Sequence, residues 1–146
     1  MGTTRSVRSV EIGAPVERVF AFLAAPESMM SLMGSELGEV ATAADGAVTR
    51  YEWNASFRLL PFDVHGVQTR LEHVPNRRIV ESASTGPTTI WELEQAGEST
   101  CLTMTEVISS RLPLVNKVIE FIGTQGKGLA HKQDEILEEI KERVEA

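Results

Sequence analysis

The stretch from Leu112 to Ala146, LPLVNKVIEFIGTQGKGLAHKQDEILEEIKERVEA, decides how the rest of the chain is read. Pro113 stands where a helix can begin, because the first turn has no use for the N–H that proline lacks. Val115, Val118, Ile119, Ile122, Leu129, Ile136, Leu137, Ile140 and Val144 then recur at spacings of three, four and seven, which lays one apolar stripe along a helix. Over this span a helix would run about 45 Å at 1.5 Å per residue. A stripe that long needs a long partner, and the middle of the chain reads as strands. Gly123, Gly126 and Gly128 interrupt the stripe, each costing about 1 kcal/mol against alanine. On the helical wheel Gly126 and Gln133 share the face of Ile122 and Leu129, so the buried side carries a gap and a polar group. The glycines either break the helix in two or leave room for a molecule between the helix and its partner; both readings stand at this point.

The remainder bounds the protein class. The sequence is 42% hydrophobic and 24% charged, and its 146 residues suffice for a single domain over 1–146 with a real core. A net charge of −7 points away from nucleic acid and anionic membranes as partners. The lone cysteine, Cys101, permits no intrachain disulfide and fits a reducing compartment. No apolar run follows Arg5 and Arg8, and nothing approaches the ~18 apolar residues of a membrane span. A cytoplasmic protein without a signal peptide or membrane span is expected.

Ser6 to Ile12 reads as a first strand. Pro15 opens a helix whose apolar side is Val16, Val19, Phe20 and Leu23, and Pro26 separates it from a second short helix over Glu27 to Leu32. From Gly38 the period changes to two. Asp45-Gly46 marks a hairpin between Glu39–Thr42 and Val48–Phe57. Tyr51, Trp53, Ala55 and Phe57 share one face of the second of these strands, and an apolar turn, Leu59-Leu60-Pro61-Phe62, follows. His65, Val67, Thr69 and Leu71 are expected inward on the next strand, with Gln68, Arg70 and Glu72 outside and His73 at the surface. Two further strands, Arg78–Ser84 and one carrying Thr89, Trp91 and Leu93 inward, lead to a last strand with Leu102, Met104, Glu106 and Ile108 on one face. The class is α+β: a strand, two short helices, six strands and a long helix.

Three segments carry a resemblance. Val10-Glu11-Ile12-Gly13-Ala14-Pro15-Val16-Glu17-Arg18-Val19-Phe20 resembles the first strand and Ala-Pro helix start of the START-like (SRPBCC) superfamily, in particular its bacterial polyketide cyclase/dehydrase and lipid-transport group. Glu72-His73-Val74-Pro75-Asn76-Arg77-Arg78-Ile79 is similar to that family's Pro-centred turn, and Trp91-Glu92-Leu93 with Ser99-Thr100-Cys101-Leu102 to its final hairpin. The resemblance implies a helix-grip fold, a seven-stranded antiparallel sheet wrapped around a long C-terminal helix with two short helices after strand one. It also implies an apolar cavity between sheet and helix. Activities in the family range from carriage of lipids, quinones or polyketides through cyclases and hydrolases to partner-binding regulators, and fold alone does not choose among them.

The residues add no catalytic signature: there is no His-Glu-x-x-His, no Gly-x-Ser-x-Gly and no metal-ligand spacing, so neither metal nor cofactor is expected. Candidate catalytic groups are polar residues in phase with inward apolar ones: His65, Glu81 and Glu106. A carboxylic acid facing a cavity beside a histidine could serve as an acid/base pair. Candidate ligand-binding residues are Tyr51, Trp53, Phe57, Trp91, Leu102, Met104, Ile122, Gly126, Leu129 and Gln133. The expected function is binding or carriage of a small hydrophobic or aromatic ligand. The alternatives are a cyclase/hydrolase-type enzyme using cavity acids and bases, and a protein-interaction regulator; a weak homodimer is compatible with any of them.

Overall fold

The alternating pattern in the middle of the chain becomes one seven-stranded antiparallel sheet in the computed structural model, which describes residues 2–110 and 113–146. The strands are β1 (Gly2–Ile12), β2 (Glu36–Thr42), β3 (Val48–Ser56), β4 (Asp63–Val74), β5 (Arg78–Ala83), β6 (Pro87–Ala96) and β7 (Ser99–Ser110). Their spatial order is β1-β7-β6-β5-β4-β3-β2, a meander whose last strand returns to pair with the first along its whole length, from Gly2 opposite Ser110 to Ile12 opposite Thr100. Between β1 and β2 come α1 (Val16–Ala24) and α2 (Pro26–Met33). Helix α1 buries Val16, Val19, Phe20 and Leu23, the face its spacing predicts. Gly34, at φ 69°, ends α2 with its N–H on the Met30 and Ser31 carbonyls.

The long C-terminal helix is divided. Helix α3 spans Pro113–Gly123 and α4 spans Leu129–Glu145; Leu112, where the reading began, lies outside the described residues. Between them Gln125 (φ 55°), Gly126 (φ 79°) and Gly128 (φ 91°) take left-handed backbone, which a right-handed helix cannot contain. Gly126 therefore lies in a connection and not on a helix face. The break also releases α3 from the stripe. Val115 and Val118, expected in the core, are exposed, as is Phe121 at 58%. The buried side of α3 instead carries Asn116, with Thr124 buried just past its end, and Asn116 Nδ2 donates to the Ile108 carbonyl of β7 (3.2 Å).

Helix α4 keeps its stripe. Ile136, Leu137, Ile140 and Val144 join Ile12, Val19, Leu23, Ile79, Leu102 and Met104 in the core. Gln133 is 1% exposed, and its Nε2 donates to Ser6 O (2.9 Å) and Met104 O (3.2 Å), fastening the helix across β1 and β7. Asp134 next to it takes a two-pronged bond from Arg8 of β1 (2.8 and 2.9 Å).

Strand β4 runs in the opposite phase to the one expected. Gly66 stands across from Trp53 and lies beneath its indole, where any Cβ would overlap the ring. That places Gly66, Gln68 and Arg70 inward, and His65 and Thr69 outward. The register then slips by one residue between Arg70, opposite Glu81, and Glu72, opposite Val80. Leu71 is the extra residue of this bulge and is 62% exposed. Beyond the bulge the faces exchange, so His73 turns in and meets Phe20 edge-on, ring centroids 5.3 Å apart, instead of lying at the surface.

Gly66→Ala is expected to lower stability by about 1–3 kcal/mol, the usual cost of overpacking. Chemical denaturation followed by tryptophan fluorescence measures it, and an unchanged midpoint would show that Trp53 can move aside freely.

Candidate functional site

Five inward-facing polar residues cross the concave face of the sheet. Glu106 on β7 stands opposite Thr89 on β6, Thr89 opposite Glu81 on β5, and Glu81 opposite Arg70 on β4; residues opposed in this way share a face. Tyr51 reaches the row from β3.

The β4–β5 end of the row is closed. The Arg70 and Glu81 side chains are only 2% and 8% exposed. Arg70 Nε and Nη2 donate to Glu81 Oε2 (3.0 and 2.8 Å), Nη1 donates to the Ala24 carbonyl at the end of α1 (3.3 Å), and Tyr51 OH donates to Glu81 Oε1 (3.0 Å). Burial, followed by the neighbouring Glu81 carboxylate, pushes the Tyr51 hydroxyl far above its ordinary pKa, so it remains a donor. One strand turn away Trp53 Nε1 donates to Gln68 Oε1 (3.2 Å). These bonds make Glu81 a structural anion whose hydrogen-bonding capacity is engaged.

The β7 end is different. Thr89 Oγ1 donates to Glu106 Oε1 (2.7 Å). Burial lifts the Glu106 carboxyl to about 7, only partly offset by the Thr89 bond. Leu102, Met104 and Ile108 on the same face are at most 2% exposed, while Glu106 and Thr89 are only half-buried. Strand β7 is flanked by β1 and β6, and Glu106 is not among the walls of the two inner clefts.

Two adjoining clefts lie where the α3–α4 connection crosses the sheet. The first, about 210 Å³, has Met30 and Met33 of α2, Trp53 and Gln68 of the sheet and Lys132 of α4 among its walls. The second, about 200 Å³, is walled by Phe57, Val64, Pro87, Val118, Ile119 and Ile122. Phe57 and Gly123 line both. Together the clefts reach the lower end of the range for small-molecule sites. A larger open groove of about 650 Å³ runs over the outer face of β5–β7, lined by Arg78, Glu92, Glu94 and Cys101. Its floor is polar, with Arg78 paired to Glu72 and Glu92, and it lacks the mostly apolar walls of the inner pair.

The candidate residues are distributed unevenly. Trp53, Phe57 and Ile122 line the clefts. Tyr51, Trp91, Leu102 and Met104 are packed into the core. Gln133 holds the sheet through Nε2, its Oε1 unpaired. Leu129 opens α4 and Gly126 lies in the connection. His65 is a correction: it is on the outer face, 3.1 Å from Glu52, because Gly66 takes the inward position. The structure therefore brings Glu81 and Glu106 onto one face and removes His65 from it. Reading the sequence missed Arg70, Gln68, Gly123 and Lys132. For the first two, a glycine facing an aromatic partner was the available signal of strand phase.

No protein-family model matches this sequence, and neither does any curated protein. Solved structures do match over nearly the full length. They include a START superfamily protein from Mycobacterium smegmatis (16% identity, 99% of this chain and 98% of that one, TM-score 0.69) and the Zhui aromatase/cyclase from Streptomyces sp. R1128 (14%, 99% and 94%, TM-score 0.69). A third is the Aha1 dimer from Colwellia psychrerythraea (11%, 97% and 96%, TM-score 0.63). The chain has the START-like helix-grip fold. Among the described residues no helix is long and apolar enough to cross a membrane.

Arg70→Met is expected to cost about 3–5 kcal/mol, since it strands the Glu81 carboxylate in the core. The double variant Arg70→Met/Glu81→Gln should recover a large part of that loss in a denaturation-based double-mutant cycle. Additive losses would show that the two groups are not coupled.

Glu106 gives a pH signature. Its folded pKa lies above the unfolded one, so the native state binds the proton more tightly. No cost arises below about pH 4.5, and the destabilisation grows as pH rises to about 7. Glu106→Gln should remove this component, up to about 3 kcal/mol between pH 5 and 8. Denaturation of both proteins at the two pH values reads the difference, and identical pH dependence would contradict it.

Proposed function

We propose that the protein binds and carries a small hydrophobic or aromatic ligand, of lipid, quinone or polyketide-like character, between the concave sheet and the C-terminal helices. The observation that carries this reading is the pair of clefts meeting at Phe57 and Gly123, with mostly apolar walls. The START-like fold supports it at the level of architecture only.

Gly123 offers a direct test. It ends α3, has no positive φ, and a Cβ built there meets nothing within 4 Å. Gly123→Leu should therefore leave the fold intact while filling both clefts. The expected result is a loss of about tenfold or more, roughly 1.4 kcal/mol, in affinity for the neutral fluorescent reporter N-phenyl-1-naphthylamine. Unchanged affinity in a folded variant overturns the reading.

A second reading, a cyclase- or hydrolase-type enzyme, is favoured by one observation. Glu106 carries a carboxyl lifted to about 7 and oriented by Thr89 on the concave face of the sheet, as acid–base catalysis needs. If turnover exists on a substrate panel, Glu106→Gln should lower kcat by about 10²–10⁴ with reporter binding retained.

A further inference from the structure

The first cleft carries a charge that the fold does not use. Lys132 lies on the first turn of α4 and forms part of the cleft wall with Met33, Ser35 and Trp53. The carboxylates around it on the same helix are taken by other cations. Asp134 holds Arg8 (2.8 Å), Glu135 holds Lys127 (3.2 Å) with the His131 ring also 2.8 Å away, and Glu139 holds Arg143 (3.0 Å). Among the described residues Lys132 has no carboxylate within 4.0 Å and feels Glu135 only at longer range. No acidic residue lines either cleft, in a protein of net charge −7. Along the path away from Lys132 the walls become apolar, from Trp53 and Met30 past Phe57 to Val64, Ile119 and Ile122.

Resting on the ligand-binding reading above, we infer that the site selects anionic amphiphiles, with a carboxylate-type head paired to Lys132 in the first cleft and an apolar body extending past Phe57 into the second. A half-exposed ammonium on a flexible stem is a point charge that can follow a mobile head group. Lys132 and Met33 also border a neighbouring hollow with Glu135 and Glu139, both of which are paired with other side chains.

Matched probes test this: dodecanoate and dodecan-1-ol, each displacing N-phenyl-1-naphthylamine at neutral pH and low salt. The unmodified protein should prefer the acid by about five- to tenfold, and added salt should narrow the gap. Lys132→Gln should bring the ratio close to one, and Lys132→Arg should preserve a preference. Equal affinities in the unmodified protein, a preference that survives Lys132→Gln, or a bound reporter displaced by neither probe each overturn the inference alone. Failure of the reporter to bind, with no heat from dodecanoate in calorimetry, overturns the ligand-binding reading as well.

Discussion

A carboxylate as enclosed as Glu81 is tolerated only beside a cation that faces the same way, and Arg70 is that cation. Once Arg70 must point inward, the phase of β4 follows: Gly66 and Gln68 are inward with it, His65 and Thr69 outward. Arg70 also holds the Ala24 carbonyl, so the pair ties α1 to the sheet. The Tyr51 hydroxyl fills the remaining side of the carboxylate and joins β3 to the same network. The bulge at Leu71 then lets His73 face inward one residue out of step. Three strands and a helix end are set by where one buried charge finds its partner.

The contrast between the two acids on this face defines the site. Glu81 is held by an arginine and a tyrosine and contributes rigidity. Glu106 has a threonine and accessible surface, and burial keeps its proton on near neutral pH. Rigid polar groups therefore lie under β3–β5, while a titratable group and apolar walls lie under α3. That helix turns Asn116 to the protein and leaves Val118 and Phe121 at the surface, so it roofs the clefts with comparatively little apolar anchoring.

Much of the architecture is legible in the sequence because it depends on local period: the α1 face, the Asp45-Gly46 hairpin, the alternation of β3 and β7 and the stripe of α4. What the sequence hides is pairwise. Alternation in β4 fits two phases, and the apolar count favours Leu71 and Val67 inward. The partner of Glu81, eleven residues away in sequence (Arg70), decides otherwise. Likewise Gly123, Gly126 and Gly128 admit both a broken helix and an underfilled one. The break is realised at Gln125–Gly128, and the room lies beside Gly123. Lys132 gives no sequence signal, since its significance lies in every adjacent carboxylate being occupied.

The full-length pairing of β1 with β7 has a consequence for how the chain is assembled. Strands β2 to β7 follow one another as neighbours and can form as local hairpins, whereas β1 must wait for a strand near residue 100. Its inner side is then secured by contacts made later still, from Gln133 to Ser6, Lys141 to Glu11 and Glu145 to Gly13. On a ribosome the first strand made is thus the last to be joined, and long-range closure of this kind slows folding toward the millisecond-to-second range of β-rich topologies. Until β7 arrives, β1 is an unpaired strand, open to chaperones or to a neighbouring chain.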